Sequence, residues 1–192
     1  MTAQSPRRPR GREGGALHAD AVRVLEGWRA PDAAQEHLRR EFLRHLAAHP
    51  DGVWRECVPG HITASTVVLD SSGSQVLLTL HHKHRLWLQL GGHCEPGDES
   101  LAAAALREAT EESGIAGLRL LEDPVQLGRH RVHCHPQGSY HLDVQYVAIA
   151  PPRARHRISA ESVDLRWFPV DSLPDLTDDF VRALVACAVA AL

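Results

Sequence analysis

An α/β fold is predicted for this chain, and three features of the sequence predict it. Runs rich in β-branched and apolar residues begin at His61 and recur as far as Phe168. An alanine-rich helical stretch, Leu101–Ser113, interrupts them, and an amphipathic stretch from Asp179 to Leu192 closes the chain. Helical periodicity ahead of the first strand adds an N-terminal helical extension. The predicted division is a disordered tail over 1–16, the helical extension over 17–52 and one α/β domain over 53–192.

The tail, MTAQSPRRPRGREGG, is rich in Arg, Pro and Gly and has no apolar face to bury. Leu17 to about Ala48 reads as two helices broken at Pro31. In the second, Leu38, Phe42, Leu43 and Leu46 form an apolar stripe against Arg39, Arg40, Glu41 and Arg44. Such a stripe packs on the main domain or on a second copy, and so admits a homodimer. Pro50-Asp51-Gly52 ends the extension. Strands follow at Ile62–Leu69, Val76–Leu80 and Leu86–Leu90, the first two joined by the Ser71-Ser72-Gly73 turn. Ser100 is placed to cap the helix Leu101–Ser113, and Gly114 to stop it. Further strands are expected near Leu118–Leu121, Val125–Val132, Tyr140–Ile149 and Leu165–Phe168, before the closing helix.

Twenty-one basic against 24 acidic residues give a net charge of −3, which offers no bulk basicity for nonspecific nucleic-acid binding. Cys57, Cys94, Cys134 and Cys187 stand far apart without a C-x-x-C pair, so a disulfide framework is not expected. No apolar run has spanning length, and the N-terminus lacks the apolar core of a secretion signal. The expectation is a cytoplasmic protein with no membrane partner.

The most informative segment is Gly91–Ile115, GGHCEPGDESLAAAALREATEESGI. Glu108, Glu111 and Glu112 share one helix face at spacings i, i+3 and i+4. They also occupy the last turns, where the helix dipole disfavours negative charge by roughly 0.3–1 kcal/mol each. A solvated helix face is the competing explanation for three neighbouring glutamates. A divalent cation would remove both penalties, and hard oxygen donors suit Mg²⁺ or Mn²⁺.

This segment resembles the Nudix box, the signature of the Nudix hydrolases: G, five residues, E, seven residues, then R-E-U-x-E-E-x-G-U, with U a bulky apolar residue. Glu99, Arg107-Glu108, Glu111-Glu112, Gly114 and Ile115 fall in place. Two departures stand out. Counting back from Glu99 places His93 where the first glycine belongs, so the loop carries one extra residue, and Ala109 stands where a bulkier side chain is usual. The resemblance extends from about His61 to Leu192. It implies a Nudix fold, a mixed β-sheet sandwiched between α-helices, and a bacterial branch of the family.

The resemblance also implies an activity: metal-dependent hydrolysis of a diphosphate linkage in a nucleoside diphosphate joined to another moiety. Nucleoside triphosphates, ADP-ribose and nucleotide-sugars all fit. Glu108, Glu111 and Glu112 map onto the family's metal-binding glutamates, and Gly91 onto a position offering its carbonyl. Glu99 and Arg107 map onto the structural pair that ties loop to helix, with Asp98 able to replace Glu99. Glu108 or Glu112 would activate the water. Two rivals share the fold: a nucleotide-sensing module without catalysis, and an isopentenyl-diphosphate isomerase-like enzyme, which requires a reactive cysteine.

Several residues outside the glutamates are candidates for substrate contact. His141 and Asp143 alternate along one strand and face one way. His93 follows the glycine pair, where it could touch a phosphate. Trp87, near the box, is a candidate stacking platform, against the commoner reading of a strand tryptophan as core. The basic turn His81–Arg85 and the arginines 153, 155 and 157 suit either anion steering or a solvated loop. Glu161 is a candidate outside carboxylate for the metal. His130, His133, Cys134 and His135 crowd together, but their spacing matches no zinc pattern, and strand alternation sets neighbours on opposite faces.

Overall fold

A computed structural model describes residues 14–83, 85–158 and 162–192. The first 13 residues of the tail, His84 and Glu161 lie outside the described residues. Twelve elements follow one another: α1 (Gly15–Gly27), α2 (Ala33–Ala48), β1 (Gly60–Leu69), β2 (Gln75–His81), β3 (Trp87–Leu88), β4 (Leu90–His93), α3 (Leu101–Ser113), β5 (Arg119–Leu120), β6 (Gln126–Val132), β7 (Ser139–Ile149), β8 (Ser162–Pro169) and α4 (Asp179–Ala190).

Among the described residues, all eight strands join one mixed sheet. Its centre is the parallel pair β1–β7, in register from Gly60↔Tyr140 to Leu69↔Ile149. Every other pairing is antiparallel. β1 splays along its length, taking β4 against Thr63–Thr66 and β2 against Val68–Leu69.

Alternation along β1 and β7 decides what each face of the sheet carries. Ile62, Ala64, Leu142, Val144 and Tyr146 pack with Leu17, Ala21 and Leu25 of α1, Phe42 and Leu46 of α2, and Leu101, Ala104 and Ala105 of α3. Residues of the opposite parity, Val67, Leu69 and Val147, pack with Val181, Leu184, Val185 and Ala188 of α4. The sheet is therefore a layer between helices. The apolar stripe of α2 lies within this core, with Leu38 and Leu43 against its margin. That removes the argument for a homodimer built on the stripe.

Local chemistry sets the helix ends. Ser100 Oγ accepts from Ala103 N at 3.0 Å and starts α3. Gly114, at φ 64°, stops it in the left-handed region open to glycine. α1 also helps to start α3, because Asp20 accepts from the Leu101 amide at 2.8 Å. Gln35 of α2 bonds both backbone groups of Leu127 on β6, at 2.7 and 3.1 Å. The N-terminal helices thus brace the sheet and the first turn of α3. No helix among the described residues is long and apolar enough to cross a membrane.

Candidate active site

The last turns of α3 face the glycine strand β4. Glu112 Oε2 accepts the Gly91 N–H at 2.9 Å. A Cβ on Gly92 would fall 2.8 Å from Glu108 Oε1, so this backbone approaches the carboxylate closely because the residue has no side chain. Gly91 adopts φ +147°, and a Cβ there would strike Ser65 at 2.4 Å. Gly91 is therefore required by the backbone, and Gly92 leaves room for the Glu108 carboxylate. Glu111 is the most exposed of the three box glutamates.

Arg107 organises the loop between β4 and α3. Its guanidinium holds Asp98 through two bonds of 2.9 Å, donates to the His93 carbonyl at 3.0 Å, and reaches Glu108 at 3.0 Å and Glu111 at 3.2 Å. Burial alone would raise the Asp98 carboxyl, but the Arg107 bonds hold it below the usual carboxylate range. Those same bonds hold Arg107 firmly charged.

The structure corrects the expected pairing of Arg107 with Glu99. Glu99 is exposed, and the buried partner is Asp98. Gly92 to Asp98 preserves the G-x₅-acid spacing, so the extra residue falls between the acid and Arg107. The shorter aspartate at the earlier position meets the arginine, and Glu99 turns outward.

Two of the expected substrate contacts are also corrected. Trp87 is 8% exposed and packs in the α4-side core, with its ring in a T-shaped contact with Phe168 and Arg166 over it at 5.8 Å. Its faces are not presented to a base. Asp143 is 5% exposed and accepts from Thr63 Oγ1 at 2.8 Å, Ser65 Oγ at 2.6 Å and Gln145 Nε2 at 2.8 Å. Its oxygens are directed at protein donors that knit β1 to β7.

His93 and His141 come together, Nε2 to Nε2 at 3.2 Å, beside His61 and Cys134. Burial lowers His93 and pushes His61 down to about 4 and His141 to about 3, with neighbouring imidazoles adding to the effect on His61 and His141. Sequence spacing alone could not find this group, because strand register assembles it. Cys94, in the box loop, is buried, and burial pushes its thiol up to about 12. It stays neutral and is not the reactive cysteine that an isomerase would need at this point.

The basic hairpin tip carries exposed His82, Lys83 and Arg85. The loop bearing Arg153, Arg155 and Arg157 is anchored to the end of α3, where Arg157 N donates to Ser113 O at 2.7 Å. It lies beside Gly114, the residue that stops the glutamate-bearing helix.

The fold has counterparts among known structures. A hydrolase of the NUDIX family from Clostridium perfringens is 24% identical, with a TM-score of 0.55 over 68% of this chain and 97% of that one. Dihydroneopterin triphosphate pyrophosphohydrolase of E. coli is 18% identical, with a TM-score of 0.58 over 68% and 96%. An Ap4A hydrolase of C. elegans is 20% identical, with a TM-score of 0.57 over 68% and 96%. Comparison with curated protein sequences returns no match. The NUDIX domain profile matches residues 59–186, from the start of β1 into α4 and across the whole box. On that match, covering well over half of its length, the chain belongs to the NUDIX domain family.

Proposed function

We propose that this chain is a metal-dependent pyrophosphohydrolase that cleaves a diphosphate linkage in a nucleoside diphosphate joined to another group. One observation carries the reading: all three box glutamates are retained at the end of α3, where Glu108 and Glu112 meet the Gly91-Gly92 backbone. A sensor without catalysis would have no need of the complete set.

The donors available there are carboxylate oxygens and the Gly91 carbonyl, a hard set that fits Mg²⁺ or Mn²⁺. The box glutamates do not form one tight group. Among the described residues, the groups whose metal-donor atoms all lie within 4.8 Å are others. Glu108 and Glu111 lean toward Arg107, and Glu112 toward Gly91. Binding would therefore exchange these contacts for coordination through small side-chain rotations. Bound there, the ion supplies charge neutralisation on the diphosphate and acidifies a coordinated water.

The protein's own part follows from the residues. Glu108, Glu111 and Glu112 hold the cation, and Glu108 or Glu112 accepts the proton from the attacking water. Arg107, tied to Asp98 and the His93 carbonyl, fixes the loop against the helix end. The arginine loop at 153–157, anchored at Ser113, lies at the same helix end as a source of positive charge for an anionic substrate.

The test is a panel of nucleoside triphosphates, dinucleoside polyphosphates, ADP-ribose and nucleotide-sugars, incubated with Mg²⁺ or Mn²⁺. Phosphate is then assayed after coupling to a phosphatase. Turnover that needs the cation and is abolished in Glu112→Gln supports the proposal. Tight binding of any member without turnover by the wild-type protein would favour the sensor instead.

A further inference from the structure

We infer that this protein carries a second metal site, separate from the box glutamates, in which His61, His93, Cys134 and His141 bind a zinc-class transition metal ion. One donor atom from each lies within 4.8 Å of all the others. The distances are those of a ligand shell. His93 Nε2 and His141 Nε2 are 3.2 Å apart, and Cys134 Sγ is 3.3 Å from His141 Nε2 and 3.7 Å from His93 Nε2. Tetrahedral bonds of about 2.0–2.1 Å to nitrogen and 2.3 Å to sulfur place donors roughly 3.3–3.6 Å apart.

His61 supplies an independent observation. It is fully buried, and among the described residues neither ring nitrogen has a hydrogen-bond partner of good geometry. Leaving such a group unsatisfied costs about 1–3 kcal/mol, and coordination would remove that cost. Neutral imidazoles and a thiolate are the forms in which these side chains bind a metal. Cys134 would bind as thiolate, releasing its proton to solvent.

The fold explains how distant residues meet. His61 and His141 are register partners in the β1–β7 pair, and His93 pairs with Thr63 on the same face. Cys134 comes from the turn that joins β6 to β7. Four protein ligands leave no open position, the pattern of a structural rather than a hydrolytic zinc. Nitrogen and sulfur donors also separate it from a Mg²⁺ site. Its effect on the box is mechanical: Gly92 faces Glu108 from one side of β4, while His93 is pinned from the other.

The experiment uses the full chain, purified and dialysed against zinc-free buffer containing Mg²⁺, with zinc measured by mass spectrometry. About one zinc ion per chain is expected. Cys134→Ser and His93→Gln should each weaken zinc binding by at least about tenfold, while the Glu111→Gln/Glu112→Gln double variant keeps it. Co²⁺ loaded in place of zinc should show tetrahedral visible bands and a thiolate charge-transfer band, the latter lost in Cys134→Ser. If Cys134→Ser does not fold, zinc protection of the wild-type thiol against a maleimide takes its place. A zinc-free protein with an octahedral Co²⁺ spectrum would overturn the inference. So would zinc that departs with the box glutamates and persists without Cys134, or a Cys134 thiol equally reactive with and without zinc.

Discussion

The backbone N–H of Gly91 donates to the Glu112 carboxylate at 2.9 Å, joining the first glycine of the box to its last glutamate across 21 positions. Glu112 is thus held on the strand side of α3, while Glu111 projects toward solvent. Glu111→Gln and Glu112→Gln are each expected to lower kcat by about 10²-fold or more at saturating Mg²⁺. Thermal melting should stay near wild type, since neither change opens a cavity.

Asp98 and Glu99 provide a direct contrast between neighbours. Asp98→Ala removes two of the bonds made by the Arg107 guanidinium and leaves those to Glu108, Glu111 and the His93 carbonyl, so it should cost about 1–3 kcal/mol of stability, read by urea denaturation. Glu99→Gln alters an exposed side chain and should stay within about 0.5 kcal/mol. Equal effects at the two positions would mean that the arginine is not the tie between loop and helix.

Gly92→Ala tests the close approach at Glu108. Its new Cβ would sit 2.8 Å from the carboxylate, at the far end of a flexible side chain, so Glu108 can move aside and the fold can survive. Turnover is expected to fall at least about tenfold through misplacement of that group. Gly91→Ala meets Ser65 side-chain and backbone atoms at 2.4 and 2.5 Å around a positive φ, and should instead reduce soluble folded protein.

Acid should weaken the fold before carboxylates titrate. His45 is pushed from 6.5 down to about 4, chiefly by burial and then by His49. Its unfolded form binds protons more readily than its folded form, so stability is complete above pH 6.5. It is lost as the pH falls from there toward 4. His45→Gln should flatten the denaturation midpoint across that interval. A residual slope is expected in the metal-free protein, because His61 and His141 are shifted in the same direction.

Helices were legible in the sequence wherever local chemistry sets them. Ser100 and Gly114 bound α3 at the residues read from the chain, and Pro31 separates α1 from α2. The box glutamates were legible for the same reason, since helical spacing is a local property. Partnerships across strands were not. Whether Asp98 or Glu99 meets Arg107 depends on how the loop turns. Trp87 is core because Phe168 of β8 lies against it. Asp143 is satisfied by hydroxyls on β1, 78 and 80 positions away. Cys134 stands among histidines along the chain, yet those gathered round its sulfur come from three different strands.

The β1–β7 ladder has a consequence for how the molecule is made. Its partners lie 80 residues apart, so the middle of the sheet closes a loop containing most of the domain. Contacts of such long range are slow to nucleate. During synthesis the edge of β1 that β7 fills stays open until residue 149 clears the ribosome, although β2 and β4 on its other edge are made earlier. Over that interval α1 and α2, already complete, are the local cover available to it.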